Sequence, residues 1–549
     1  MERTIVAGAI GNCVHVAGTV NFLRIAEELG YKSVFLGAAV PVEDFVKAIR
    51  KHDPAIVGVS YRLTPDVAEG LLRDMKSKME QGDNTDRRFV FGGTPPVCKA
   101  AGTLGWFERC FDGLENPRDV REYLGSAITR SSEGSVGDTL IERLENSSPY
   151  PLLRHHFGLP NLADTVDGVR RIAKSGVLDV ISLAPDQNAQ ESYFRQEEMD
   201  PALDGAGGVP VRTPEDLSCI YGAGRTGNRP LFRIYSGTRD LVKWAELSAR
   251  TVNNAWGAVP LCWYSALDGR SARTPKEAIR ENQQAMRWYA EHGIPLVVNE
   301  SHHWSMRDAH DTIGVATAYL AAYNAKRMGV CHYVSQYMLN TPPAITGCMD
   351  LAKMLAKIEL IETLQDKSFR PVRQVRAGLL HLSPRLNIAK GQLAASTALA
   401  MQLRPDIMHV VGFCEGDHAA TASDIIESCE IVHGVLRNAL AGMPDMTADA
   451  DVQARKNELI KEAGILISAI SDIRCATDDP LSSPEVLSAT IEMGMLDAPH
   501  LKGNPYAAGM LNTTVQNGAV YPVDKGNGRI LSERERLSLI KERALVCVE

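Results

Sequence analysis

The chain lacks an apolar run of membrane-spanning length, a low-complexity tract, a repeat array and any CxxC or CxxxCxxC cysteine spacing. A bilayer crossing takes about 20 consecutive apolar residues. The opening MERT followed by IVAGAI is too short for the apolar segment of a secretion signal. The expectation is a soluble, cytoplasmic protein with no membrane partner. Eleven cysteines are scattered singly, which argues against a zinc ribbon, a thioredoxin motif and an iron–sulfur cluster. They read as reduced thiols, most of them in the core. The net charge of −8 gives no general attraction to polyanions, so nucleic acid is not an expected partner.

What is present is globular. With 549 residues, 44% hydrophobic and 23% charged, the chain is too long for one core and reads as two domains with connecting segments. The first 125 residues alternate apolar runs and helical patterns: strands at 4–10, 33–37, 55–60 and 88–91, helices at 21–29, 42–51 and 65–79. Such alternation predicts a parallel, doubly wound Rossmann-like sheet, in which ligands bind beyond the C-terminal strand ends. Residues 126–160, rich in Ser, Gly, Pro and Arg, read as a linker.

Beyond the linker, strand-like runs recur at 179–183, 231–235, 259–264, 295–299, 330–335, 376–380 and 407–412, with helical patterns between them. Seven visible units and an obscured eighth predict a (β/α)₈ TIM barrel over 161–482, with its chemistry at the C-terminal strand ends. The stretch 483–549 reads as a cap on the barrel or a dimerisation segment.

Three loops of the first domain converge on one place. They carry Cys13-Val14-His15-Val16-Ala17-Gly18, Ser60-Tyr61-Arg62-Leu63 and Gly92-Gly93. This resembles the B12-binding domain of base-off, histidine-on cobalamin enzymes, whose pattern is Asp-x-His-x-x-Gly, then Ser-x-Leu, then Gly-Gly. The corrinoid subunit of glutamate mutase looks most similar. The resemblance implies that His15 ligates the cobalt of cobalamin and that Gly18, Ser60, Leu63, Gly92 and Gly93 line the cofactor site. Two departures stand out. Cys13 replaces the Asp that would orient the imidazole, and Leu63 falls one place late.

The barrel rim offers Arg233, Arg239, Trp263, Arg270, Arg273, Glu300, His302, His303, Gln336 and Asn340. Arginines clamp carboxylates in bidentate fashion, so the cluster suits a small carboxylate or amino-acid substrate. His302 and His303 read as a polar loop, and His381 and His409 are ambiguous. PLFRIYSGTRDLVKWAELSA, VVNESHHW and MGMLDAPHLKGNPYAAG resemble segments of the glutamate mutase barrel subunit. The resemblance implies Arg233 and Glu300 as catalytic residues, and Arg233, Arg239, Arg270, Glu300 and Gln336 as substrate contacts.

Taken together the resemblance implies an adenosylcobalamin-dependent mutase, a radical isomerase of a small amino or dicarboxylic acid, with cofactor domain and barrel on one chain. A homodimer or a second subunit is an expected partner. The alternatives are a corrinoid methyltransferase and a non-catalytic cobalamin carrier or sensor. A pyridoxal-phosphate aminomutase would need a dedicated lysine, and Lys32 and Lys99 carry no distinguishing context.

Overall fold

A computed structural model describes residues 3–80, 87–113, 117–125, 137–235, 237–473 and 478–546. The chain divides into two compact units, Met1–Gly134 and Ser135–Glu549.

The first unit is a Rossmann-like domain. Strands β1 (Thr4–Ala9), β2 (Lys32–Phe35), β3 (Ile56–Ser60), β4 (Arg88–Gly92) and β5 (Arg109–Phe111) form one parallel sheet in the order β2-β1-β3-β4-β5. β1 and β3 are covered on both faces, which is why they read as unbroken apolar runs. The helix Val42–His52 has Glu43 and Asp44 in its first turn and Arg50, Lys51 and His52 in its last, matching both ends of the helix dipole. The strand order reverses between β1 and β3, and the loops after these strands and after β4 carry the three motifs.

The second unit is a nearly closed parallel barrel of β6 (Leu152–Phe157), β7 (Val180–Leu183), β8 (Leu231–Ile234), β9 (Gly257–Val259), β10 (Leu296–Val298), β11 (His332–Leu339), β12 (Arg370–Ala377) and β13 (Ile407–His409). Its hydrogen-bonded order is β8-β7-β6-β13-β12-β11-β10-β9. Between β8 and the approach to β9, Ile234 N–H donates to Asn254 Oδ1 at 3.1 Å and Ala255 N–H to the Phe232 carbonyl at 2.8 Å. These bonds span the gap where no ladder forms.

The obscured eighth strand is β6, inside the segment expected to be a linker. Its sequence LLRHHF turns Arg154 and His156 into the barrel, so it lacks the apolar signature of a buried strand. The helix Leu140–Ser147, in the same segment, is held by a capping box between Thr139 and Glu142. Residues 126–136 lie outside the described residues. Two other strands are displaced from expectation. β9 ends at Val259, before Pro260, and β12 runs Arg370–Ala377, its lumenal Val372, Gln374 and Arg376 alternating with Arg373, Val375 and Ala377 on the other face.

The barrel is sealed at its N-terminal end. Leu152, Val180, Leu231, Trp256, Ala258, Val297, Val334, Val372 and Ile407 form one buried layer, against which Leu140 packs. The tail folds onto the barrel unit through a hairpin, β14 (Thr513–Gln516) and β15 (Ala519–Pro522), and the helix Glu533–Val546. Val520 N–H donates to Asp311 at 3.0 Å, and Arg536 donates to the Gly494 and Met495 carbonyls at 2.8 Å each.

Candidate functional site

The first unit holds a slot of about 390 Å³ whose wall includes Gly18, Thr19, Phe22, Ser60, Gly92 and Gly93. Its shape comes from missing side chains. A Cβ on Gly18 would meet nothing within 4 Å, and one on Gly92 would find only Ser60 Oγ, at 3.9 Å. At Gly93 the constraint is different: a Cβ would lie 2.7 Å from the Tyr61 carbonyl and 2.9 Å from the Phe91 ring. That position admits glycine because two loops touch there. Thr19 Oγ1 is buried in the wall without a hydrogen-bond partner. An unsatisfied buried hydroxyl costs about 1–3 kcal/mol, which a polar ligand group in the slot offsets.

His15 stands outside the slot wall, exposed on the loop after β1, with Cys13 Sγ 3.9 Å from its Nδ1. The thiol occupies the place where an aspartate was expected. Leu63 is exposed and does not line the slot, whereas Ser60 does. Tyr61, fully buried, donates from its hydroxyl to Asn12 Oδ1 at 3.0 Å and so ties the β1 loop to the β3 loop. Sequence reasoning passed over this residue because an aromatic after a strand reads as ordinary core.

In the barrel, the layers above the apolar seal are polar. Arg154, 1% exposed, donates to Ser182 Oγ at 2.5 Å and Gln374 Oε1 at 2.8 Å, and meets His409 Nδ1 at 3.2 Å and His156 Nε2 at 3.0 Å. Gln374 donates to Gln336 Oε1 at 2.8 Å, and Gln336 meets His302 Nδ1 at 3.2 Å. The ring of His156 stacks on Tyr235 at 5.0 Å and lies 3.1 Å from its hydroxyl.

Arg233, also 1% exposed, lies over the Tyr235 ring at 4.6 Å, and its Nε and Nη1 have no hydrogen-bond partner. Arg376 is buried as well, its Nε donating to the Ala377 carbonyl at 3.1 Å. Burial pushes the pKa of all three guanidiniums down. Burial and the neighbouring arginines hold His156, His302 and His409 well below the ordinary imidazole value, so these rings are neutral near pH 7. Among the described residues none of the three arginines has a carboxylate ion pair. The lumen is therefore a buried positive region; the carboxylate felt by Arg376, that of Glu415, acts from beyond ion-pair distance.

The other rim residues divide sharply. Glu300 is buried with both oxygens engaged: Oε2 accepts from Leu261 N–H at 2.9 Å and Cys262 N–H at 3.0 Å, and Oε1 from Trp304 Nε1 at 2.8 Å. It braces the loop after β9. Arg239 donates to the Glu191 carbonyl at 2.7 Å and Ser192 Oγ at 3.0 Å and pairs with Glu198. Arg273 pairs with Glu281 at 2.5 Å. Arg270 lies over Tyr264 at 4.5 Å, 3.7 Å from Asp268, half-exposed at the rim. Asn340 accepts from Ser396 Oγ at 3.2 Å. His303, buried beside Trp263, has no partner at either ring nitrogen, and His381 sits half-buried in the turn Leu379–His381. The short helix Ser301–Ser305 replaces the polar loop expected for His302 and His303. The structure thus gathers Arg233 and Gln336 with Arg154, His156, Tyr235, Gln374, Arg376 and His409, which were not anticipated as a group.

Residues 3–114 match the family described as the B12 binding domain. Among curated proteins no match was found. Among solved structures, a novel cobalamin-binding protein from Desulfitobacterium hafniense DCB-2 is 25% identical over 23% of this chain and 60% of that one, with a TM-score of 0.20. The cobalamin-dependent S-adenosylmethionine radical enzyme OxsB, with aqua-cobalamin and S-adenosylmethionine bound, is 12% identical over 97% of this chain and 64% of that one, with a TM-score of 0.23. The chain thus spans somewhat under two thirds of each of these proteins. With the slot, the two open glycines and the unpartnered Thr19, the match defines a cobalamin-binding domain on the same chain as a TIM-like barrel. No helix among the described residues is long and apolar enough to cross a membrane.

Proposed function

We propose that the chain is an adenosylcobalamin-dependent radical isomerase, a carbon-skeleton mutase that rearranges a small amino or dicarboxylic acid bound in the barrel lumen. The observation that carries this reading is the lumen's unpaired charge: among the described residues Arg154, Arg233 and Arg376 are buried without a carboxylate ion pair, and two nitrogens of Arg233 are unpartnered. Leaving a guanidinium buried and unpaired costs several kcal/mol, and an anionic substrate removes that cost. Arg233 is the proposed carboxylate anchor, because its partners are missing. Arg154 is already satisfied by four side chains and positions the wall of the site.

When bound, adenosylcobalamin supplies reversible hydrogen-atom abstraction, which needs a dry cavity more than it needs a strong acid or base. The barrel's contributions follow from its own residues. The apolar seal excludes water from below, and the neutral His156 and His409 donate or accept hydrogen bonds without adding charge. In the first unit, Gly18, Ser60, Gly92, Gly93 and Thr19 would hold the cofactor, and His15, with Cys13 Sγ 3.9 Å from its Nδ1, would be its cobalt ligand. Glu300 acts as a positioning residue for the loop carrying Trp263.

The test is to load the full chain with adenosylcobalamin in the dark and record EPR spectra with a panel of small amino and dicarboxylic acids. A coupled Co(II) and organic-radical signal with one acid is expected. Tight cofactor binding without a signal from any acid contradicts the mutase reading and favours methyl transfer or a carrier.

A further inference from the structure

Where β13 gives way to its helix, the loop residues Cys414 and His418 meet Asp424, and one ligand atom from each lies within 4.8 Å of the others. A thiol, an imidazole and a carboxylate gathered within eleven residues are a mixed donor set of the kind zinc takes, with expected bond lengths of about 2.3 Å to sulfur and about 2.0–2.2 Å to nitrogen and oxygen. Their present hydrogen bonds are already arranged around such an ion. His418 Nδ1 meets Asp417 Oδ2 at 2.7 Å, which fixes the ring and turns Nε2 toward Asp424 Oδ2, 3.3 Å away. A carboxylate behind the far nitrogen of a metal-binding histidine is the usual outer support of such sites. Asp424 is itself held, its Oδ2 accepting from Thr421 N–H at 2.9 Å and Thr421 Oγ1 at 2.6 Å at the start of the helix Ala422–Ala441.

A second observation comes from a different strand. His155 on β6 is 5% exposed, and its Nε2 has no hydrogen-bond partner. Its Nδ1 lies 2.5 Å from the His156 carbonyl, which only accepts, so Nδ1 carries the proton and Nε2 presents a lone pair. His155 Nε2 and Cys414 Sγ are neighbours across Gly412, lying 3.1 Å and 3.4 Å from the point a Gly412 Cβ would occupy. Gly412 leaves the space between them clear.

We infer that Cys414, His418 and Asp424 form a three-residue site for a divalent transition metal of the zinc class, beside the unpartnered Nε2 of His155. The ion would tie the loop after β13 to the first turn of the helix Ala422–Ala441, one chain connection from lumenal His409. Binding converts the Cys414 thiol to a thiolate and displaces the proton His418 Nε2 shares with Asp424, so protons leave as the ion enters.

The experiment strips the full-length protein with a chelator, equilibrates it with Zn²⁺, desalts it and counts zinc per chain by elemental mass spectrometry. One zinc per wild-type chain is expected, with loss in Cys414→Ser and His418→Ala. Asp417→Asn is expected to bind about 10–100-fold more weakly, as removal of an outer support does. Cobalt carried by cobalamin is counted in the same run and reports that each variant keeps its first domain folded. His418 is exposed, so His418→Ala tests the site without disturbing the core. Zinc retained at the wild-type level by both Cys414→Ser and His418→Ala overturns the proposal, and so does a wild-type chain that holds none.

Discussion

The cobalamin slot and the barrel lumen are built by opposite means. The slot is made by omission: glycines withhold their side chains, the wall is mostly apolar, and a single hydroxyl is left unsatisfied. The lumen is made by accumulation, with three guanidiniums and several imidazoles crowded above an apolar seal. A site made by omission takes a large ligand whose own surface fills it. One made by accumulated charge is destabilised until an anion arrives, so its ligand is selected by charge and the protein gains stability on binding.

The largest expected effect is at Arg233. Replacing it by Met is expected to lower kcat/KM by a factor corresponding to about 2–5 kcal/mol, with cobalamin loading unchanged. The same variant, free of substrate, is expected to melt higher than the wild type, because removing an unpaired buried charge relieves its desolvation cost. A lower melting temperature would show that Arg233 has a structural partner and would break the contrast. In the slot, Gly92→Val is expected to weaken cobalamin binding by about 1–3 kcal/mol through overpacking, measured by equilibrium dialysis, with the barrel's substrate-free stability unaffected.

Acidification separates the two regions further. Burial lowers the pKa of His156, His302 and His409, so the unfolded chain takes up protons before the folded one as pH falls below about 6.5. Stability is therefore full above that pH and lost as pH falls toward the folded values, by up to about 1.4 kcal/mol per pH unit for each histidine. Chemical denaturation of the barrel unit between pH 7 and 5 measures the slope, and a flat profile would contradict the neutral lumen. The smallest effect is expected at Arg239, whose guanidinium is taken up by Glu191, Ser192 and Glu198. Arg239→Ala is expected to cost about 1 kcal/mol of stability and leave KM within a factor of about 3.

The same contrast explains what could be read from the residues alone. The slot's glycines and Ser60 follow apolar strands, and sequence order carries them to one end of the sheet. Barrel strands with polar lumenal faces leave no such trace. β6 hides behind Arg154 and His156, and the first part of β12 behind Arg373, Gln374 and Arg376, because a strand broken by charged and polar side chains has the pattern of an exposed one. Glu300 was found as a buried carboxylate at a strand end, but its acceptors are used by backbone N–H groups, which no spacing reveals. The Cys414, His418 and Asp424 set has no regular motif, and its unpartnered neighbour His155 comes from a strand more than 250 residues earlier in the chain.

The most direct measurement follows isotope between substrate and cofactor. The full chain is loaded with adenosylcobalamin and given the acid that elicits a radical signal, deuterated at the position that loses hydrogen, and the recovered cofactor is analysed by mass spectrometry. Deuterium in the adenosyl 5′ position is the predicted result, and its loss in Arg233→Met would tie the exchange to the lumen. Bound, unlabelled cofactor alongside converted substrate would contradict the account.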